Sequence, residues 1–335
     1  MSEQFSQDQV PDQVPDQVPN PFSEIRVLSL QSLRGINYWS RLPVTRMDVN
    51  IGAYEDISSA HVPWFTNQLV AALPGLLQHH CSVGRLGGFV ERLGRGTYAA
   101  HIIEHVALEL QTEIGHDTGF GRTRGSGELA EYTIVFEHEH QLVGLRAAAL
   151  ALDIVQRAFA GKLDSTKSGL PELRALATTP DAPPLANSVL CGITGSAGRA
   201  ETRAALQSLL EIRKLKGGGE SSPLVLDLSP SYLLHAGLPY ATSDIAIILD
   251  ASLADVPSRY RDPERAARLV SMLTDAVPPR GTVVCAADVP LVHDIVRDAG
   301  RVVRSFDPVG DIAVRADRAA RCAASAIADA ANTTR

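Results

Sequence analysis

Two histidines and a glutamate share one five-residue stretch, with His101, Glu104 and His105 in the order His-x-x-Glu-His. The flanking sequence predicts an α-helix, in which positions four apart lie one above the other. His101 and His105 can therefore offer two imidazole nitrogens to one tetrahedral zinc ion. Glu104 falls on the same side, where its carboxylate can take a proton from a water molecule at the metal. This order is the inverted zincin pattern of metallohydrolases.

The residues around the motif predict a helix that lines a cleft. Gly96-Thr97 suits the N-terminal cap, Gly115 suits the C-terminal end, and an apolar stripe recurs at helical spacing. That stripe consists of Ile103, Ala107, Leu110 and Ile114. The motif residues lie on the neighbouring face. The competing interpretation is a pair of partly buried histidines that are hydrogen-bonded to acids.

A zinc ion needs a third protein ligand, which the motif does not supply. We expect Glu137 to be that ligand, because a strand after the glycine-rich loop 119–125 can bring it across from the helix. The next candidates are His138 and Glu109. Two further candidate zinc ligands, His79 and His80, precede a glycine-containing loop. They would equally suit an exposed helix end without a metal.

Arginines near the motif could bind the carboxylates of a substrate through paired N–H donors. Arg122 and Arg124 lie on the glycine-rich loop, and Arg34, Arg85 and Arg92 could extend the same surface. The alternative interpretation is that these arginines are solvated surface residues with no role in binding.

Composition narrows the class of protein. The 335 residues are 45% hydrophobic, which is enough for two ordinary cores, and the formal charge of −7 is scattered. We therefore expect no nucleic-acid partner and no membrane association. The polar, proline-rich first residues are unlike a leader peptide, so we expect a soluble cytoplasmic protein. The four cysteines are Cys81, Cys191, Cys285 and Cys322. They lie far apart in the sequence without a C-x-x-C pair, which predicts that any metal is bound by nitrogen and oxygen ligands alone.

The chain divides into four predicted parts. Residues 1–24 repeat Asp-Gln-Val-Pro three times, which predicts a disordered tail. Residues 25–160 mix strands, helices and glycine loops as an α+β domain, and the polar, proline-rich residues 161–187 read as a linker. Residues 188–333 alternate short buried strands with helices, which predicts a parallel sheet and makes the chain α/β. The predicted strands are 25–30, 45–49, 132–137, 189–194, 224–228, 245–249 and 282–285, and the predicted helices include 64–77, 142–159, 202–214 and 263–275.

A phosphate-binding loop is expected after the first strand of the second half, but its chemistry is damaged. Gly195 and Gly198 occupy loop positions, whereas Arg199 and Ala200 stand where a working loop has lysine and a serine or threonine. Alanine cannot ligate magnesium, and arginine differs from lysine in shape. ATP is therefore not expected as a cofactor, and the loop is either a weak anion site at Gly195, Gly198 and Arg199 or a structural remnant.

The first half resembles the N-terminal domain of cyanophycin synthetases, the enzymes that polymerise aspartate and arginine. Six separated stretches carry the resemblance in the same order: residues 33–40, 73–76, 80–82, 87–92, 101–111 and 119–124. In that family the N-terminal domain resembles a polymer-binding module, and in some members its His-x-x-Glu-His helix carries a zinc-dependent hydrolase that generates primers.

The second half resembles a shortened Mur-ligase-like domain with a broken phosphate loop. The ATP-grasp domain that lies between the two in the family has no counterpart in the short linker predicted here. The resemblance thus implies a zinc-dependent, endopeptidase-like hydrolase acting on cyanophycin or a related aspartate–arginine polymer, with a non-catalytic second domain.

Two other functions stay open at this stage. One is a non-catalytic pseudo-synthetase that binds the polymer, with a second copy of the chain or a full-length synthetase as its protein partner. The other is a residual ligase that uses ATP through the altered loop.

Overall fold

The computed structural model describes residues 18–164, 169–181, 190–215, 224–252 and 256–333. These residues form two compact units. The first unit contains residues 18–32 and 45–181, and the second contains residues 33–44 and those from 190 onward. Most of the predicted tail lies outside the described residues, as do residues 165–168 and 182–187 of the predicted linker.

The first unit combines one sheet with several helices. In chain order its elements are α1 Pro21–Glu24, β1 Arg26–Leu33, β2 Val44–Asn50, α2 Phe65–Ala72, α3 Gly88–Arg95, α4 Ala99–Thr112, β3 Gly121–Gly125, β4 Glu131–Glu137, α5 Gln141–Phe159 and α6 Leu170–Ala177. Short 3-10 helices span Gly52–Glu55, Ser59–His61, Pro74–Gln78 and Cys81–Val83. The sheet order is β1-β2-β4-β3, which leaves β3 at one edge.

Helix α4, which carries the His-x-x-Glu-His motif, lies at the centre of this unit. It packs against α5 on one side and against β3 and β4 on the other. Of the predicted apolar stripe, Ile103, Ala107 and Leu110 are fully buried in the core and Ile114 is half-buried. The predicted apolar stripe therefore faces the core, as helical periodicity requires. The surrounding elements pack closely against the helix and hold it in place.

Four elements of the first unit differ from expectation. Helix α1 lies within residues 1–24, which were predicted to be a disordered tail. The glycine-rich loop predicted at 119–125 contains strand β3, because pairing with β4 overrides the low strand propensity of its glycines. Helix α6 lies within the predicted linker, where Leu173 is fully buried. The predicted helix 64–77 ends at Ala72, since Pro74 disfavours a helical conformation at Leu73, and continues as a 3-10 turn.

The second unit has the predicted parallel sheet, which confirms the α/β class. Its elements are β5 Leu190–Thr194, α7 Arg199–Leu215, β6 Leu224–Leu228, α8 Pro230–His235, β7 Ile245–Ile248, α9 Pro263–Val270, α10 Met272–Ala276, β8 Thr282–Ala286, α11 Pro290–Asp298, β9 Val302–Phe306 and α12 Ile312–Thr333. The strand order is β6-β5-β7-β8-β9. Strand β9 was not expected, because Arg304 and Ser305 interrupt its apolar pattern at the sheet edge.

A segment from the first half of the sequence belongs to the second unit. Residues 33–44 are held there by the Gly35 N–H, which donates to the Leu238 carbonyl at 3.0 Å, and by the Trp39 indole, which donates to the Leu234 carbonyl at 3.0 Å. A Cβ on Gly35 would lie 2.2 Å from the Tyr240 carbonyl oxygen, so only glycine fits there. Of the described helices, none is long and apolar enough to cross a membrane.

His138, at the end of β4, is a buried histidine outside the motif. Its Nδ1 lies 3.1 Å from the Thr45 hydroxyl and its Nε2 lies 3.3 Å from the Ser32 hydroxyl. Burial lowers the pKa of His138 from 6.5 to about 4. Smaller and partly opposing effects on this pKa come from three neighbours: Asp181, His140 and His116. The ring is therefore neutral in the folded protein near pH 7.

His138 should make the stability of the first unit depend on pH. The pKa of this group is lower in the folded than in the unfolded chain, so its contribution is fully present above pH 6.5 and is lost as the pH falls toward 4. Between pH 7 and 5.5 the loss should be about 1 kcal/mol in the free energy of unfolding. The His138→Gln variant should lack this increment. Urea unfolding at both pH values, followed by Trp64 fluorescence in a Trp39→Phe background, measures it, and equal pH dependence in both proteins would contradict a buried, neutral His138.

Candidate functional site

One face of α4 borders a cleft of about 810 Å³ in the first unit. That face carries His101, Glu104 and His105, so the three motif residues line the same space. The other walls are Gly75, residues 78–82, Arg92 and residues 118–123. A cleft of this size with several convergent polar groups is typical of a binding site.

Cys81 faces the two motif histidines across the cleft. Its Sγ lies 3.5 Å from Nε2 of His101, and one ligand atom from each of Cys81, His101 and His105 lies within 4.8 Å of the others. Zinc–sulfur and zinc–nitrogen bonds of about 2.3 and 2.0 Å in a tetrahedron separate the two ligand atoms by about 3.5 Å. Cys81 also has a φ of 52°, a left-handed conformation that is uncommon for residues other than glycine and that often marks a functional position.

Sequence reasoning missed Cys81 as a candidate ligand. The cysteines were not expected to bind a metal because they lack C-x-x-C spacing, so metal ligands were expected to be nitrogen and oxygen alone. Cys81 lies 20 residues before His101, and no spacing rule links it to the motif. The available signal was its position in residues 80–82, one of the stretches that carry the family resemblance.

Both histidines are neutral in their surroundings. Burial lowers the pKa of His101 to about 4 and that of His105 to about 2, with smaller effects from nearby cationic groups. A neutral imidazole keeps one nitrogen lone pair, which is the form that binds a metal.

Both histidine rings are also oriented through Nδ1. Nδ1 of His101 lies 2.9 Å from the Thr97 hydroxyl, and Nδ1 of His105 lies 2.9 Å from Nδ1 of His79. Nε2 of His79 in turn lies 2.9 Å from the buried carboxylate of Glu109. Partners of this kind on the far ring nitrogen are what fix metal-binding histidines in place.

Glu104 is a buried carboxyl group beside the histidines. Its side chain is 5% exposed, and burial raises its pKa to about 7, against the lowering effects of a hydrogen bond and of Arg92 and Arg122. The Thr123 hydroxyl donates that hydrogen bond at 2.5 Å. Gly121 packs so closely on Glu104 that a Cβ there would lie 2.7 Å from its side chain. A carboxyl group with a pKa near neutrality can both accept and return a proton.

Glu137, the expected third ligand, is used elsewhere. Its carboxylate accepts hydrogen bonds from the backbone N–H groups of Gly119 and Phe120, each at 3.0 Å. The structure therefore does not bring Glu137 together with His101 and His105. The alternative ligand His138 is held at β4, and Glu109 and His79 line the cleft but bond to each other.

The predicted arginines divide into two groups. Arg92 and Arg122 line the cleft, and the guanidinium of Arg92 donates to the Ser82 hydroxyl at 2.6 Å. Arg124 lies farther along β3, outside the residues that line the cleft, and Arg34 belongs to the second unit. Arg85 is exposed outside the cleft and donates to the Glu91 carboxylate at 2.5 Å. The cleft thus carries two of the five predicted carboxylate-binding side chains.

The predicted phosphate loop of the second unit is blocked by its own chain. The backbone N–H of Ser196 donates to both carboxylate oxygens of Asp250, at 3.0 and 3.1 Å, and the Arg199 guanidinium donates to the Gly195 carbonyl. The carboxylate thus bonds to a loop amide that would otherwise face a phosphate. The cavity beside Gly198 has a volume of about 10 Å³, which is room for about one water molecule.

Known proteins match the unit that carries the cleft. Residues 46–160 match the family model of the cyanophycin synthase-like N-terminal domain. The cyanophycin synthetase of Crocosphaera subtropica is 43% identical over 132 residues, and that of Trichormus variabilis is 43% identical over 136 residues. These matches cover 38% and 39% of this chain and 15% of each relative, so the chain matches about one seventh of the relatives' length. Cys81, the motif and Thr123 all lie within residues 46–160.

Proposed function

Since residues 46–160 match the family model of the cyanophycin synthase-like N-terminal domain, we propose that this chain acts on cyanophycin or a related aspartate–arginine polymer, as a zinc-dependent hydrolase. The observation that carries the proposal is the group Cys81, His101 and His105 beside the buried Glu104 in one cleft. A cysteine and two histidines are a zinc donor set, and three protein ligands leave the fourth position open, as in catalytic zinc sites.

The residues present fit the metal on two further counts. Burial keeps both imidazoles neutral, and each is bonded through Nδ1, which leaves Nε2 for the ion. Cys81, His101 and His105 would hold the zinc. A bound zinc ion would supply Lewis-acid chemistry, polarising an amide carbonyl and making a water molecule more acidic.

The protein groups around it would handle the proton and the substrate. Glu104 accepts the proton of the attacking water and returns it to the departing amine, so that the peptide bond breaks by addition of one water. The Thr123 hydroxyl holds the Glu104 carboxyl group in place. Arg92 and Arg122 bind the carboxylates of the polymer beside the reacting bond.

Substituting Glu104 separates catalysis from binding. Glu104→Gln keeps the shape of the side chain but cannot accept the proton, so the rate of polymer cleavage should fall by at least about a hundredfold. Zinc content and polymer affinity should stay close to those of the wild type. Product length by gel electrophoresis, with metal analysis of the same samples, measures both. Glu113→Gln, at the exposed end of α4, is the matched control, and cleavage by Glu104→Gln at the wild-type rate would contradict the proposed base.

A second candidate function is a non-catalytic, polymer-binding partner of a full-length synthetase. The observation that favours it is that the relatives are synthetases and that the match covers 15% of their length. Adding the chain to a working cyanophycin synthetase and measuring polymer length tests this. If wild type and Glu104→Gln change the polymer length equally, binding rather than hydrolysis explains the effect.

The second unit should not bind ATP, even after repair of its sequence motif. Arg199→Lys with Ala200→Thr restores the missing side chains but leaves the Asp250 carboxylate on the Ser196 amide, where it repels phosphate. Binding should require Asp250→Ala in addition. Titration calorimetry with magnesium–ATP compares the wild type, the double variant and the triple variant. ATP binding by the wild type would contradict a blocked loop and would revive the residual-ligase hypothesis.

A further inference from the structure

Strand β3 is an edge strand that runs along the cleft. It pairs with β4 on one side and is the last strand of the sheet. Residues 118–123, which include the first part of β3, form one wall of the cleft. The free edge of such a strand carries backbone N–H and C=O groups that can pair with another extended chain.

The hydrogen-bond register assigns which residues of β3 face that free edge. Glu137 N–H donates to the Phe120 carbonyl at 3.0 Å, and Ser126 N–H donates to the Glu131 carbonyl at 2.9 Å. In an antiparallel pair, the backbone groups of every second residue bond to the partner strand. The two bonds therefore place Arg122 opposite Val135 as a hydrogen-bonded pair, and the backbone groups of the residues on either side of Arg122 point away from β4. The residues whose backbone groups face outward are Gly121, Thr123 and Gly125.

These outward groups lie beside the candidate catalytic carboxyl group. The Thr123 side chain reaches Glu104 at 2.5 Å, and Gly121 lacks a Cβ where one would press on Glu104. A chain added to β3 would therefore run past Glu104 with its own peptide bonds in the cleft.

We infer that the substrate binds as an added β-strand on β3, through its peptide backbone. This inference rests on the proposed function and commits to one ligand class, an extended polypeptide of L-residues that carries carboxylates. The carboxylates suit the cleft because Arg92 and Arg122 both line it. Backbone pairing gives affinity along the strand, and the arginines select acidic side chains.

Two substitutions at one position test the backbone contact. Thr123→Val removes the hydroxyl but keeps the outward N–H, whereas Thr123→Pro removes both, and an edge strand tolerates proline where the N–H faces outward. Binding of soluble cyanophycin to the metal-free proteins should be about fivefold weaker for Thr123→Pro than for Thr123→Val. Equal affinities of the two variants would overturn the inference. Failure of the wild type to bind the polymer would instead refute the proposed function.

A measurement on the wild type covers the case in which the proline variant does not fold. Poly-L-aspartate and poly-D-aspartate carry the same charge but only the L-polymer can pair regularly with β3. The L-polymer should bind at least about fivefold more tightly to the metal-free protein. Equal affinity would mean that charge alone holds the ligand and would overturn strand addition.

A different observation carries a second inference, about the chain of contacts from Glu109 through His79 to His105. Both links are 2.9 Å long, and the side chains of Glu109 and His79 are 3% and 14% exposed. Since an ionised carboxylate only accepts hydrogen bonds, Glu109 requires a proton on Nε2 of His79. In a neutral His79 ring, Nδ1 is then an acceptor, which requires a proton on Nδ1 of His105 and leaves the Nε2 lone pair of His105 free.

We propose that Glu109 and His79 are positioning residues that lock His105 in its metal-binding tautomer. Gly75 is part of this arrangement, because a Cβ there would lie 1.7 Å from Oε1 of Glu109. Its φ is not left-handed, so alanine fits the backbone and would only displace the carboxylate. This inference also rests on the proposed zinc site.

Gly75→Ala tests the contact chain without altering any polar side chain. It should weaken zinc binding by about 10- to 100-fold in a competition with a chelating dye. Gly119→Ala, at a cleft glycine with open space at its Cβ, is the matched control and should bind zinc like the wild type. Equal affinity of both variants would overturn the inference, whereas absence of zinc binding by the wild type would refute the site itself.

His79 variants give an independent measurement. His79→Phe keeps a ring but loses the acceptor, whereas His79→Gln keeps an oxygen that can accept from His105. Nitrogen-15 NMR of the metal-free proteins should find the Nδ1–H tautomer of His105 in the wild type and in His79→Gln, and a mixture in His79→Phe. An unchanged tautomer in His79→Phe would contradict the proposed role.

Discussion

Burial of α4 on nearly its whole circumference is the constraint on which the site depends. A buried polar side chain without a partner destabilises the fold by about 1–3 kcal/mol, so each one on this helix must be bonded. His101 is bonded to Thr97, Glu104 to Thr123, and His105 to His79. These bonds fix the orientation of the side chains that face the cleft, and burial itself sets their charge states. The requirement for a stable core and the requirement for an organised site are therefore met by the same contacts.

Close approach of neighbouring backbone to α4 follows from the same constraint. Gly75 lets the 3-10 turn lie against Glu109, and Gly121 lets β3 lie against Glu104. Neither glycine has a left-handed φ, so both are required by space and not by backbone conformation. The two glycines thus let the turn that precedes Cys81 and the strand that carries Thr123 lie close to side chains of α4 that line the cleft.

The sequence predicted the parts of this structure that follow local rules. The helix around His101 and the parallel strands of the second unit follow from hydrophobic periodicity, and the damaged phosphate loop follows from Arg199 and Ala200. The parts that it did not predict depend on long-range contacts. Cys81 reaches the motif only through the fold, β3 becomes a strand only by pairing with β4, and Glu137 is turned toward the backbone of Gly119 and Phe120. The segment 33–44 groups with the second unit through backbone bonds that no local pattern signals.

In the proposed site Cys81, His101 and His105 hold one metal ion, and cobalt substitution tests this most directly. Cobalt(II) titrated into the metal-free protein should saturate at one ion per chain and give the charge-transfer absorption of a cobalt–thiolate bond. Cys81→Ser should abolish that absorption, whereas Cys322→Ser, at a half-buried cysteine in the second unit, should leave it unchanged. Absence of cobalt binding, or a spectrum that does not depend on Cys81, would contradict the account.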